Sequence, residues 1–323
     1  MIGRAFMPLC LLAAAPALAD SNFLSPETPP PAGGRVDQTA FDPGTVGFTL
    51  TARGDIDVNL RIFTLFAHPG ETLPLSTDQA VRWATDRGET FYGDRFDWTT
   101  PISPGLTVAT LTSDDGQVMR LNLIVMHEAV GEHVGNYRLG AYPDEPYRGE
   151  EAYIAPTHFA EVPEGLRSLQ ISPHFTLGQF LCKQETSGEP FLVLSERLLI
   201  KLEIILAAAN ENGWRTDSFV VMSGYRTPSY NAGIGNGRYS RHIYGGAADI
   251  FIDTDGDGRM DDLNGDGRID RNDAAALYDL VESLSQNDEF GDLLGGLGEY
   301  DANAVHGPFV HVDERGWRAR WGR

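Results

Sequence analysis

The sequence predicts an α+β protein with a β-sandwich-like half followed by a half in which helices flank a small antiparallel sheet. Three observations predict it. From about Val36 to Tyr142, short apolar and β-branched runs alternate with turn residues. From about Ser168 onward, helix-spaced and strand-like runs follow one another without the regular βαβ rhythm of a parallel sheet. Between the two lies a stretch punctuated by Pro143, Pro146, Pro156 and Pro163.

The 323 residues open on a secretory pattern: Arg4, an apolar run from Ala5 to Ala15, and Ala17-Leu18-Ala19 as an A-x-A cleavage site. Residues 1–19 are expected to be a signal peptide, so the mature protein is exported, either periplasmic or secreted. Cys10 lies inside the apolar run, but Leu9 before it is larger than lipidation sites tolerate. Residues 20–35, with Pro29-Pro30-Pro31 and Gly33-Gly34, read as a flexible leader. No later run reaches the ~18–20 apolar residues a membrane-spanning helix needs.

In residues 36–145, the β-sandwich-like part, strands are expected at Phe48–Thr51, Val58–Phe66, Leu106–Leu111 and Arg120–His127. Residues 146–167 read as a linker. In residues 168–323, Ser195 caps a helix to about Asn212, with Leu198, Leu202, Ile205, Leu206 and Ala209 at helical spacing and Gly213 ending it. Ser218–Ser223, Ala247–Asp253 and Phe309–Asp313 read as strands. Asp273 reads as the cap of a second helix whose apolar face is Leu277, Leu280, Val281 and Leu284.

The net charge of −21 excludes nucleic acid as a natural partner, because so acidic a surface repels phosphate backbones. A hydrophobic fraction of 41% suffices for folded cores. Once a leader ending at Ala19 is removed, Cys182 stands alone and cannot form an internal disulfide. The oligomeric state is not readable.

The chemistry concentrates in Ser240-Arg241-His242-Ile243-Tyr244-Gly245-Gly246-Ala247-Ala248-Asp249. His and Asp both bind zinc at about 2.0–2.2 Å. On a helix, this spacing would separate His242 from Asp249 by roughly 10 Å, too far for one ion. A glycine turn leading into a strand brings them together, and Ala247 and Ala248 allow close backbone approach. His311 alternates with Val310 and Val312 and so faces one side of a strand. Two His and one carboxylate leave a fourth zinc position open, which is the catalytic arrangement.

The pattern Ser-x-His-x-x-Gly-x-Ala-x-Asp, at Ser240, His242, Gly245, Ala247 and Asp249, resembles the zinc D-Ala-D-Ala carboxypeptidase and murein endopeptidase family of LAS fold. Ser223-Gly224-Tyr225-Arg226-Thr227, Gly295-Gly296-Leu297-Gly298 and Phe309-Val310-His311-Val312-Asp313 extend the resemblance over roughly residues 168–323. They place it in the branch lacking the late Glu-x-x-His. It implies a LAS-type zinc peptidase domain acting on peptidoglycan peptides, with His242, Asp249 and His311 as zinc ligands. Arg226 then faces the substrate carboxylate or carbonyl, a task suited to a guanidinium fork. Where many members carry the acid that serves as general base, this chain has Pro308. His306 is the first candidate for proton transfer and Asp313 the second, and Asp313 could instead orient His311. The alternative is a non-catalytic zinc and calcium module for wall binding or signalling, of the same fold.

The acidic insert 253–273 predicts calcium. Asp262, Asn264, Asp266, Arg268, Asp270 and Asp273 follow the spacing of a calcium loop, with Gly267 at its sharp turn and Ile269 anchoring it. Asp253, Asp255 and Asp257 start an overlapping set for a second ion. His68, His127, His133, His158 and His174 show no ligand spacing.

Overall fold

The computed structural model describes residues 40–287 and 290–323. The signal peptide and leader expected over residues 1–35 lie outside the described residues. The architecture is α+β, with three α-helices and several sheets among the described residues.

Seven strands form the N-terminal sheet: β1 (Thr45–Ala52), β2 (Ile56–Leu60), β3 (Ile62–Ala67), β4 (Thr72–Thr85), β5 (Thr90–Thr99), β6 (Gly105–Ser113) and β7 (Val118–Val125). Its order is β2-β1-β4-β6-β7-β3, with β5 also on β4. The expected run Val58–Phe66 breaks at Arg61 into β2 and β3, which go to opposite ends of the sheet. β3 and β7 are parallel and the other pairs antiparallel. Where the sequence suggests a two-layered sandwich, the structure has one continuous, nearly closed sheet. The cause is β4, whose 14 residues run past an irregularity between Ser76 and Val81. Its first part pairs with β1 and its second with β6, so it bridges what would otherwise be two layers.

β8 (His127–Glu128), β9 (His133–Val134) and β10 (Tyr137–Arg138) follow. β11 (His158–Glu161) then pairs with β8 on one side and with β12 (Phe191–Leu192) on the other. Residues His158–Glu161 of the segment 146–167 are therefore built into a sheet, and Phe159 and Ala160 in that strand are fully buried.

α1 (Glu196–Glu211) follows the expected pattern and buries Leu198, Leu202, Ile205, Leu206 and Ala209. Gly213 ends it with a positive φ of 92°. After it come β13 (Val220–Ser223), α2 (Pro228–Gly233), β14 (Ala247–Phe251), α3 (Arg271–Gln286), β15 (Gly296–Tyr300), β16 (Phe309–Asp313) and β17 (Ala319–Trp321). α3 is capped by Asp270, not by Asp273. The Asp270 carboxylate accepts from the Asn272 N–H, while Asp273, three residues on, completes the capping box.

The C-terminal sheet has the order β13-β14-β16-β15-β17. β14 and β16 pair antiparallel, with Asp249 directly opposite His311, and Gly298 of β15 faces His311 from the other side. One continuous core of buried side chains reaches from Phe48 in β1 to Val312 in β16.

Candidate metal centre

The chain reaches the site through a single 3-10 turn, Arg241–Tyr244, closed by Gly245 at φ 69°. That left-handed conformation suits glycine, and a side chain there would run into the Val193 carbonyl. The turn reverses the chain into β14, so His242 and Asp249 share one point although they are seven residues apart.

Three donor atoms converge there. His242 Nε2 lies 3.2 Å from Asp249 Oδ1 and 3.2 Å from His311 Nδ1, and His311 Nδ1 lies 2.8 Å from Asp249 Oδ1. All three residues are buried. Two zinc bonds of ~2.05 Å at a tetrahedral angle hold their donors about 3.3 Å apart, so the triangle has close to the size zinc requires. The ring hydrogens are already committed elsewhere. His242 Nδ1–H donates to the Gly224 carbonyl at 2.7 Å, which leaves Nε2 as a lone pair facing the triangle. His311 Nε2–H donates to Asp313 Oδ2 at 3.2 Å, which leaves Nδ1 as a lone pair. With a carboxylate oxygen as the third corner, three acceptors meet and no donor lies between them. Only a cation or added protons satisfy that arrangement, so the residues fit a metal ion.

Charges around the triangle are arranged to keep Asp249 ionised. Burial opposes ionisation, but His242, His311 and Arg226 together hold its carboxyl well below the usual range. Burial lowers the His242 pKa against the pull of Asp249 and so favours the neutral imidazole a metal needs. For His311 burial also disfavours the charged form, but the neighbouring carboxylates of Asp249 and Asp313 outweigh it and raise the pKa. Arg226 donates to Asp249 Oδ2 and, through Nε, to Ser223 Oγ at 2.7 Å.

The candidate proton-transfer groups sit differently. Asp313 is fully buried and saturated: it accepts from His311, from the Arg315 guanidinium and from the Gly296 N–H at 2.7 Å. His306 lies on the loop between β15 and β16. Its Nε2 is 2.7 Å from the Asn303 amide nitrogen, its Nδ1 is 2.8 Å from the Gly307 carbonyl, and its ring rests edge-on against Phe309.

Several residues near the triangle escaped the sequence reading. Trp321 in β17 packs its ring 5.1 Å from that of His311 and donates its indole N–H to Tyr300 Oη at 2.9 Å. Gly298 leaves room for that indole. Lys183 feels both Arg226 and Asp249; desolvation, reinforced by Arg226, lowers its pKa. Arg315 alone had a signal, since it stands two residues beyond Asp313 near the end of a strand.

The acidic insert splits. Carboxylates of Asp253, Asp255 and Asp261 lie within 4.8 Å of one another. Asp257 stands outside that group, and Asp261, at position nine of the loop begun by Asp253, replaces it. Among the described residues Asp262, Asp266, Asp270 and Asp273 form no such group. Their carboxylates accept from backbone N–H groups, Asp262 from those of Gly265, Asp266 and Gly267 and Asp273 from those of Leu263, Asn264 and Asp270, just as Asp253 accepts from those of Gly256, Asp257 and Gly258. Asn264 and Asp266 accept from the N–H two residues on, and Arg268 supplies one of those donors. Among the described residues no helix is long and apolar enough to cross a membrane.

Residues 173–262 match the family model described as Peptidase M15, and this stretch includes Arg226, His242 and Asp249. His311, Asp313 and the N-terminal sheet fall outside the match. No curated protein matches the chain.

Proposed function

We propose that this chain, a Peptidase M15 family member in its C-terminal part, is an exported zinc metallopeptidase that hydrolyses peptide bonds in peptidoglycan stem peptides or cross-links. The observation that carries this reading is the triangle of His242 Nε2, Asp249 Oδ1 and His311 Nδ1, with edges of 2.8–3.2 Å and no hydrogen-bond donor between them. The resemblance across Ser223–Thr227 and Ser240–Asp249 supports the substrate class.

Zinc, when bound, supplies the Lewis acidity that activates water near neutral pH and polarises the scissile carbonyl. The chain supplies the rest. Gly224 and Asp313 fix the two imidazoles in the tautomers that present lone pairs. Arg226 is already held by Ser223 and Asp249, so its guanidinium is preorganised beside the donors to receive a peptide carbonyl or carboxylate. Asp313 has no free oxygen for proton transfer, so it acts as the positioning residue for His311. His306, nearer the surface, is the remaining candidate from the sequence, and moving a proton would require it to release one of its loop partners. Calcium in the insert, at Asp253, Asp255 and Asp261, would brace the strand end that carries Asp249.

One observation favours a second reading, a zinc-holding module that binds wall peptides without turnover. Pro308 occupies the position of the usual acid, three residues before His311. Incubating the purified protein with muropeptides, with zinc and with chelator, separates the two. New fragments that vanish on chelation support the peptidase, and bound but intact muropeptides at every zinc level support the module.

A further inference from the structure

A second feature lies beside the metal centre and is not used by it. A cavity of about 450 Å³ is lined by Tyr147, Tyr153, Tyr239, Ser240, Arg238 and Arg315, and neither Asp nor Glu is among its lining residues. In a chain of net charge −21, this lining holds two arginines and no carboxylate; Asp313 behind it pairs with Arg315, so Arg238 carries the uncompensated positive charge. It is an open depression, so a ligand seated there stays partly in solvent.

The walls are ordered by their own contacts. The Tyr147 ring lies 5.3 Å from Tyr153 and 5.2 Å from Tyr239, and Tyr153 packs against Trp317 at 5.9 Å. Such rings offer large, rigid surfaces with hydroxyls at their edges. The two arginines differ. Arg315 is pinned, with Nε and one terminal nitrogen on Asp313, which leaves the other terminal nitrogen without a carboxylate partner. Arg238 is exposed, rests 4.8 Å over the Tyr239 ring, and has no ion-pair partner among the described residues. Two of its lining residues adjoin the metal donors in sequence, Ser240 two residues before His242 and Arg315 four after His311, while Tyr147 and Tyr153 come from the segment ahead of β11.

We propose that this cavity is a recognition site for a carboxylate borne by a peptide, gripped by Arg238 and the free edge of Arg315 while the tyrosine rings pack the neighbouring atoms. The choice of a peptide ligand rests on the peptidase reading. The uncompensated Arg238 charge and the ring walls do not. A charge-assisted, two-pronged Arg–carboxylate contact is stronger than a hydrogen bond to a neutral amide, so the site discriminates an acid from its amide.

The test uses the full chain and two acetylated, amidated tripeptides, Ala-Glu-Ala and Ala-Gln-Ala, with binding followed by nuclear magnetic resonance titration. The Glu peptide is expected to bind at least tenfold more tightly than the Gln peptide. Arg238→Gln is expected to bring the two level, and Tyr239→Ala to weaken both. Arg238 is exposed, so the variant folds, and its melting temperature confirms it. Equal affinities for the two peptides, no binding of either, or an unchanged ratio in Arg238→Gln overturns the proposal. Tighter binding of N-acetylmuramic acid than of the Glu peptide also overturns it, in favour of an acidic sugar. A separate zinc titration keeps the two readings apart. A chain that binds no zinc but still prefers Glu retains this site and loses the peptidase, and a zinc-loaded chain that cleaves but shows no preference retains only the peptidase.

Discussion

His311 and Asp313 lie two residues apart on β16 and touch each other, Nε2 to Oδ2 at 3.2 Å. Because Asp313 fixes the ring hydrogen on Nε2, the lone pair of His311 points at the metal triangle. Asp313→Asn is expected to lower zinc affinity by about 10–100-fold while leaving the three donors in place. Competition against a chromophoric chelator measures it, and an unchanged affinity would show that Asp313 serves only Arg315 and the Gly296 N–H.

Zinc is expected to stabilise the chain by mass action. At a free concentration of 100 times the Kd, the gain is about 2.7 kcal/mol, seen as a rise in melting temperature that chelation reverses. His242→Ala is expected to abolish the gain, because two remaining donors hold the ion poorly. A zinc-induced shift that survives in His242→Ala would place the ion elsewhere.

Arg241 and Glu314 form a buried pair at 2.5 Å with side-chain exposures of 2% and 9%. Arg241 also donates to the Ala152 carbonyl, so the pair ties the 3-10 turn to the segment around Tyr153. Glu314→Ala leaves a buried guanidinium without its counter-charge and is expected to cost about 3–5 kcal/mol in urea unfolding. A loss below about 1 kcal/mol would mean that water reaches Arg241 when the pair is broken.

Lys201 is nearly fully buried in α1 and donates to the carbonyls of Leu293 and Asp313. Burial, only partly opposed by Asp313, pushes its pKa down from 10.5 to about 8. The unfolded chain therefore holds more protons than the folded one between those values, and the Lys201 contribution makes stability climb as pH rises through that window. Buried tyrosines act in the opposite sense above pH 10, so the difference between wild type and Lys201→Met isolates the lysine. The wild type should gain stability relative to the variant across the window, and parallel curves would refute the assignment.

Gly245→Ala is expected to destabilise by more than about 1 kcal/mol, because the φ of 69° and the Val193 carbonyl both exclude a side chain. Zinc affinity should fall with it, since this turn is what brings His242 back to Asp249. Retained stability would mean that the turn can relax.

Much of the centre is legible in the sequence because its logic is local. A glycine turn between His242 and Asp249, and a β-alternation around His311, each declare themselves over a few residues. What the sequence conceals depends on pairing. The placement of Trp321 against His311 depends on β17 joining β15, and no local pattern reveals that partner. The calcium-like spacing at Asp262–Asp273 is equally visible, but which carboxylates draw together depends on the course of the whole insert, and that course gathers Asp253, Asp255 and Asp261. The bend in β4 that closes the N-terminal sheet is set by which neighbours its two ends find.

The same pairing decides where the chain can be cut. β11 is the middle strand of a sheet whose outer members come from either side of the Pro-rich stretch, and Glu196 at the start of α1 accepts from Arg53 and from the Phe66 N–H. A scissor placed ahead of residue 168 would open a wall, not snip a tether. The catalytic-looking half, expressed by itself, would carry raw apolar surface where its companion had been sealed on.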